Sequence, residues 1–140
     1  MGWFIVSILL PLIAPLIAAV IFKAVPLPVT IELMAPFKDG QLCWGALGFC
    51  ASALYEMDVP GEHGPIISQA VKSWISGGVI ALLVNAALLA AAGATFVTPL
   101  PKPAGVKWRQ HFVCFLFSVM ITMLAACAYA VVHFGLLGGT

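Results

Sequence analysis

The sequence predicts an all-α integral membrane protein. It reads as a single membrane domain over residues 1–140, folded as a bundle of four transmembrane helices with both termini on the outer side of the membrane. Three observations predict this. Hydrophobic residues make up 63% of the chain and charged residues 8%, at a mean hydropathy of +1.13, whereas a soluble domain carries about 25% charged residues. The apolar residues form continuous runs rather than an alternating pattern, which suits helices in lipid and not a membrane β-barrel. The four tryptophans, Trp3, Trp44, Trp74 and Trp108, all fall near the ends of those runs, where an aromatic belt places them. The same composition excludes a soluble globule and a disordered chain. A net charge of +1, with scattered basic residues, excludes a nucleic-acid partner.

A spanning helix needs about 20 mostly apolar residues. The first run covers about residues 3–25 and carries no charge before Lys23. It has no basic leading region and no small-residue cleavage site before Pro26, so it reads as a retained span rather than a signal peptide. Pro11 and Pro15 lie inside it and remove backbone donors, giving either a tolerated kink or a hinge. Pro26, Pro28 and Pro36 punctuate the first connection, which ends in Lys38-Asp39-Gly40. Within it, residues 29–34 are apolar enough to lie at the inner interface. The second run, about residues 41–57, is the shortest and sits at the lower limit of spanning length. Asp58, Pro60, Gly61 and Gly64 mark the second connection. Pro65 suits the first turn of a helix, so the third helix is expected to start near Ile66, ahead of the membrane. Its apolar part covers about residues 74–97. Pro99, Pro101, Pro103 and Gly105 break the chain before the last run, about residues 111–137.

Orientation follows from the cations. In a bundle with an even number of spans, the first and third connections share one side. They carry Lys23, Lys38, Lys102, Lys107 and Arg109, while the second carries only Lys72 beside Glu56, Asp58 and Glu62. The positive-inside rule puts the five-cation side in the cytoplasm and both termini outside, as in a multi-pass protein of a bacterial inner membrane.

Lipid supplies no hydrophobic force between helices, so association rests on small and polar residues. A stripe on the second helix runs through Gln41, Gly45, Gly48, Ser52 and Tyr55, with Glu56 beside it. The third helix offers Gly77, Ala81, Asn85, Leu88 and Ala92, and the fourth offers Ser118, Thr122, Ala125 or Ala126, Tyr129 and His133. Ser7, Pro11, Ala14 and Ala18 make a weaker stripe on the first. These stripes are either packing seams or the walls of a hydrated pore. Intramembrane ionisable groups are costly and often functional. Ser7, Glu56, Tyr129 and His133 all fall in the outer half, and a Glu56–His133 pair with Tyr129 about one turn deeper is geometrically allowed. Such a cluster is a proton site, a ligand contact or a helix clamp, unless Glu56 simply snorkels to the outer headgroups. Asn85, near the middle of its span, is expected to hydrogen-bond another helix or to line a conduction path.

Other chemistry finds little footing. His63, His111 and His133 are not paired across facing stripes at one depth as a haem would need, and no metal-ligand spacing occurs. Cys43, Cys50, Cys114 and Cys127 form no CxxC and read as small packing residues. No nucleophile elbow, phosphate-cradling loop or paired catalytic carboxylates appear, and the chain is too short for a transporter of two repeats. No cofactor and no catalytic residue are expected. The function expected is that of a small non-catalytic inner-membrane protein that binds another membrane protein. An accessory subunit of a membrane complex or an immunity-type protein against a membrane-targeting toxin fits that description. The alternatives are a self-associating channel or holin-like pore and a small proton- or quinone-coupled redox subunit. The segment Lys38-Asp39-Gly40-Gln41-Leu42-Cys43-Trp44-Gly45 has the look of a signature without an evident chemistry.

Overall fold

The computed structural model describes residues 2–24, 37–58, 68–99 and 102–136. The apolar segment 29–34, the helix start expected near Ile66 with Pro65 before it, and Glu62 and His63 of the second connection lie outside the described residues. Among those described the chain is all-helical, with no strand. The N-terminal segment is helical from Gly2 to Ala24, as α1 (Gly2–Phe4), a π-helical turn (Ile5–Leu9) and α2 (Leu10–Ala24). Then follow α3 (Cys43–Asp58), α4 (Gln69–Thr95), the short α5 (Trp108–His111) and α6 (Val113–Leu136).

Each boundary has a local cause. The π turn adjoins Pro11, which has no N–H to offer the Ser7 carbonyl four residues back. The Leu10 amide instead donates to the Ile5 carbonyl, five residues back, which is the wider π register. α3 is nucleated by amides of Cys43, Trp44 and Gly45 donating to the carbonyls of Gly40, Gln41 and Leu42. α4 begins at Gln69, because the extended Ser68 caps it and its hydroxyl accepts the Val71 amide at 3.5 Å. The helix opens directly after Ser68, the residue whose hydroxyl satisfies a free amide.

α4 and α6 are long and apolar enough to cross a membrane. α3 has 16 residues, about 24 Å at 1.5 Å per residue, less than the roughly 30 Å of a hydrocarbon core. α3, α4 and α6 pack on one another into a three-helix core. Its seam consists of small side chains that let the backbones approach. These are Ala46, Cys50 and Ala53 on α3, Ala86, Ala90 and Gly93 on α4, and Ser118, Thr122 and Ala125 on α6, all buried. The N-terminal segment lies on this core through the buried Ile8 and the partly buried Trp3 and Leu12.

The α6 stripe expected from the sequence faces inward: Ser118 and Ala125 are fully buried and Thr122 and Tyr129 nearly so. On α3 and α4 the seam within the chain is not the one expected. α3 buries Cys43, Ala46, Phe49, Cys50, Ala53 and Met57. That row is two positions, about 200° of helix turn, from the Gln41–Gly45–Gly48–Ser52 row. α4 buries Val79, Ala86, Ala90 and Gly93, while Gly77, Ala81 and Asn85 are exposed. The physical reason is contact area: within one chain the Ala, Cys, Val, Phe and Met side chains of the buried rows fill the space between helices, and the Gly45–Gly48 and Gly77 rows would leave it unfilled.

The close approach that fixes one end is at Gly93. A Cβ there would fall onto the Asp39 carbonyl carbon and oxygen, so only glycine fits beneath the loop. Gly40 next to it has φ +76° and sits over the Leu89 carbonyl, a backbone conformation open to glycine at little cost.

Candidate functional site

The structure builds two polar clusters, one near each end of the three-helix core. The first gathers residues from three elements. Glu56 lies in the last turn of α3, and Tyr129 and His133 lie one turn apart on α6. The Tyr129 hydroxyl donates to Glu56 Oε1 at 3.2 Å, and His133 Nδ1 lies 3.2 Å from both Oε1 and Oε2. Against an ionised carboxylate, which only accepts, Nδ1 is the donor of this pair. The Glu56 and His133 side chains are 18% and 24% exposed. Glu56 therefore turns onto α6 rather than out along the membrane surface. Glu56, Tyr129 and His133 thus come together, and Ser7 lies in the π turn of the N-terminal segment.

Trp3 completes this cluster and was read from the sequence only as a belt residue. Its indole stacks on the His133 ring with centroids 3.7 Å apart and planes 7° from parallel. It also meets Tyr129 at 5.0 Å and the edge of Phe134 at 5.2 Å. Phe49 closes the far side of Tyr129 at 6.2 Å. The imidazole is thus held between the Glu56 carboxyl on one side and the Trp3 indole face on the other.

The second cluster was missed as a site. Lys38 and Asp39 are both 8% exposed. Lys38 Nζ pairs with Asp39 Oδ2 at 2.6 Å and also donates to the Thr98 carbonyl. The Thr98 amide donates to Asp39 Oδ1 at 2.7 Å. Burial pushes the Asp39 carboxyl up, but the bonds from Lys38 and Thr98 and the Lys38 charge outweigh it and hold the group below its ordinary value of 3.8. Nearby, the Thr122 hydroxyl lies 3.0 Å from the Leu42 carbonyl and 2.6 Å from the Ser118 carbonyl. His111 Nε2 lies 3.0 Å from the Pro99 carbonyl. The loop before α3 is thereby stitched to the segment after α4. The Lys38-Asp39-Gly40 triplet was the available signal: an adjacent ion pair followed by a turn glycine, in a chain with few charges.

The remaining sequence candidates are not gathered into a site. Gln41 and Gly48 are exposed, Gly45 and Ser52 half-buried, and Tyr55 is 72% exposed. A Cβ on Gly45, Gly48 or Gly77 would meet nothing within 4 Å. Asn85 is exposed and spends one amide hydrogen on the Ala81 carbonyl of its own helix, at 2.8 Å. Cys43 and Cys50 are buried in the seam and all four thiols are free. Among the described residues, no three His, Cys, Asp or Glu side chains are grouped to hold a metal ion. No protein-family model matches the chain, and no curated protein or solved structure is similar to it.

Proposed function

We propose that the chain is a non-catalytic, multi-pass protein of a bacterial inner membrane that works by binding another membrane protein, as an accessory subunit or an immunity-type protein does. In this reading the N-terminal segment and α3 cross the bilayer together with α4 and α6, and both termini lie outside. The observation that carries it is the open face of α3. Gly45, Gly48 and Ser52 form a row of small residues without a neighbour at either glycine, flanked by Trp44 at 64% and Tyr55 at 72% exposure. In lipid such a row lets a second helix approach closely, and flanking aromatics supply contact area. The test is photo-crosslinking from position 48 in native membranes, with position 131 on the exposed side of α6 as the reference. Adducts to one protein from 48 and not from 131, lost in Gly45→Leu, are the expected result. Equal adducts from both positions count against the reading. Dissipation of membrane potential by the protein alone, abolished in Glu56→Ala, would point to the pore instead.

The Glu56, Tyr129 and His133 network favours a second reading, a small proton-coupled subunit of a redox complex. A pH-dependent infrared carboxylate band that disappears in Glu56→Gln, together with loss of activity in the complex that co-purifies, would support it over simple partner binding.

A further inference from the structure

We propose that the chain pairs with a second copy of itself through the groove between α4 and α6, with Asn85 of each copy hydrogen-bonded to Asn85 of the other across a two-fold axis along the membrane normal. This is a different face from the α3 row above, and it stands on different observations. An open groove of about 310 Å³ lies between the two helices, lined by Asn85, Leu88, Leu89, Ala92, Phe117 and Ile121. Leu88 is 66% and Phe117 50% exposed along it, and Val84 on the neighbouring turn is 48% exposed. The lining is apolar except for one side chain.

That side chain decides what fits. Asn85 is the seventeenth residue of the 27-residue α4, close to the centre of its apolar stretch. The amide offers two N–H donors and a carbonyl oxygen. One donor is used within the helix, on Ala81, and among the described residues the other donor and the oxygen of this exposed side chain have no hydrogen-bond partner. Acyl chains pair with neither, and a polar group without a partner in hydrocarbon is costly. An apolar helix would fill the groove and leave the amide unpaired. A second copy fills it and pairs the amide, because asparagine is its own complement: each N–H meets the other's oxygen. Copies inserted in the same direction also bring Asn85 to the same depth without any further requirement, and closed two-fold pairing is the commonest symmetry of homo-oligomers.

The experiment uses the full chain in membranes. Copies carrying donor and acceptor fluorescent proteins are co-expressed, energy transfer is measured against total protein density, and purified protein is sized by light scattering in mild detergent. Wild type is expected to dimerise. Asn85→Leu is expected to weaken association roughly five- to thirty-fold, the scale of one or two interhelical polar contacts. Asn85→Gln is expected to retain much of the association, since its amide has the same donors and acceptor. Helical content and thermal unfolding of Asn85→Leu should match wild type, because the exposed side chain bonds only to its own helix. A monomeric wild type overturns the proposal, as does a dimer that Asn85→Leu leaves intact. A monomer that still crosslinks a partner from position 48 leaves the α3 reading standing.

Discussion

Lys38 and Asp39 pose a question that a chain with so few charges makes sharp: why bury two of them. A buried ion pair is weak support for stability unless its remaining donors and acceptors are satisfied. Here they largely are, by the carbonyl and amide of Thr98, and the loop carrying them is seated by the missing side chain of Gly93. The pair therefore acts as a rivet between the chain entering α3 and the chain leaving α4. Its pH dependence follows from the sign of the Asp39 shift. The folded carboxyl titrates below its ordinary value of 3.8, so its contribution is fully present above that value and is lost as pH falls through the lower folded one. Thermal unfolding in detergent from about pH 6 to about pH 3 should show wild type losing stability only at the acid end. Asp39→Asn should start less stable and lose less over the same interval, and a parallel loss in both proteins would refute the assignment. At this scale the sequence exposed the triplet but not its partners, since Thr98 lies 59 residues beyond Asp39 and meets it through its backbone amide.

Among the helices, α6 carries the most polar contacts, and its partners on α3 and the N-terminal segment are the ones it holds in register. Glu56 joins α3 to α6 through Tyr129 and His133, and Trp3 lays the first turn of the N-terminal segment on the same imidazole. Removing the shared acceptor leaves two side chains unpaired at once. Glu56→Ala should cost about 1–3 kcal/mol, the usual penalty for a stranded buried donor. Glu56→Gln, which keeps a carbonyl oxygen toward α6, should cost clearly less. Tm and denaturant midpoints of the two variants in detergent measure this, and equal losses would mean that the carboxylate is not the acceptor that matters. The Glu56–His133 juxtaposition was legible because the end of α3 and the end of α6 fall at one depth once four spans are assumed. The α3 and α4 seams within the chain were not, because periodicity gives several candidate rows per helix and the small and polar residues singled out lie on a row that this chain leaves largely open. Cys43, Ala46, Cys50 and Ala53 are distinguished only by how they fill the space against a known neighbour.

For the whole molecule, the two clusters fix which chain segments share an end of the bundle. Lys38 and Asp39 of the first connection touch Thr98 of the third, and Trp3 touches His133 near the end of α6. Among the described residues, the first helical turn and the end of α6 therefore lie together. Composition alone made the helical class legible, and the side of the membrane rests on the cations. Lys38 is neutralised by Asp39, so its weight in orienting the chain is small. Lys102, Lys107 and Arg109 are exposed around α5, flanking a helix that starts with Trp108, and they carry most of the positive-inside bias. Single cysteines at Lys72 and Lys107, each added to a chain whose exposed Cys127 is replaced by alanine, report the result. In intact spheroplasts a membrane-impermeant maleimide should label position 72 directly and position 107 only after permeabilisation. Neutralising Lys102, Lys107 and Arg109 together should produce a mixed population in which position 107 becomes partly accessible from outside. Labelling of both positions in intact cells would remove the even-span topology, and labelling of 107 alone would invert it.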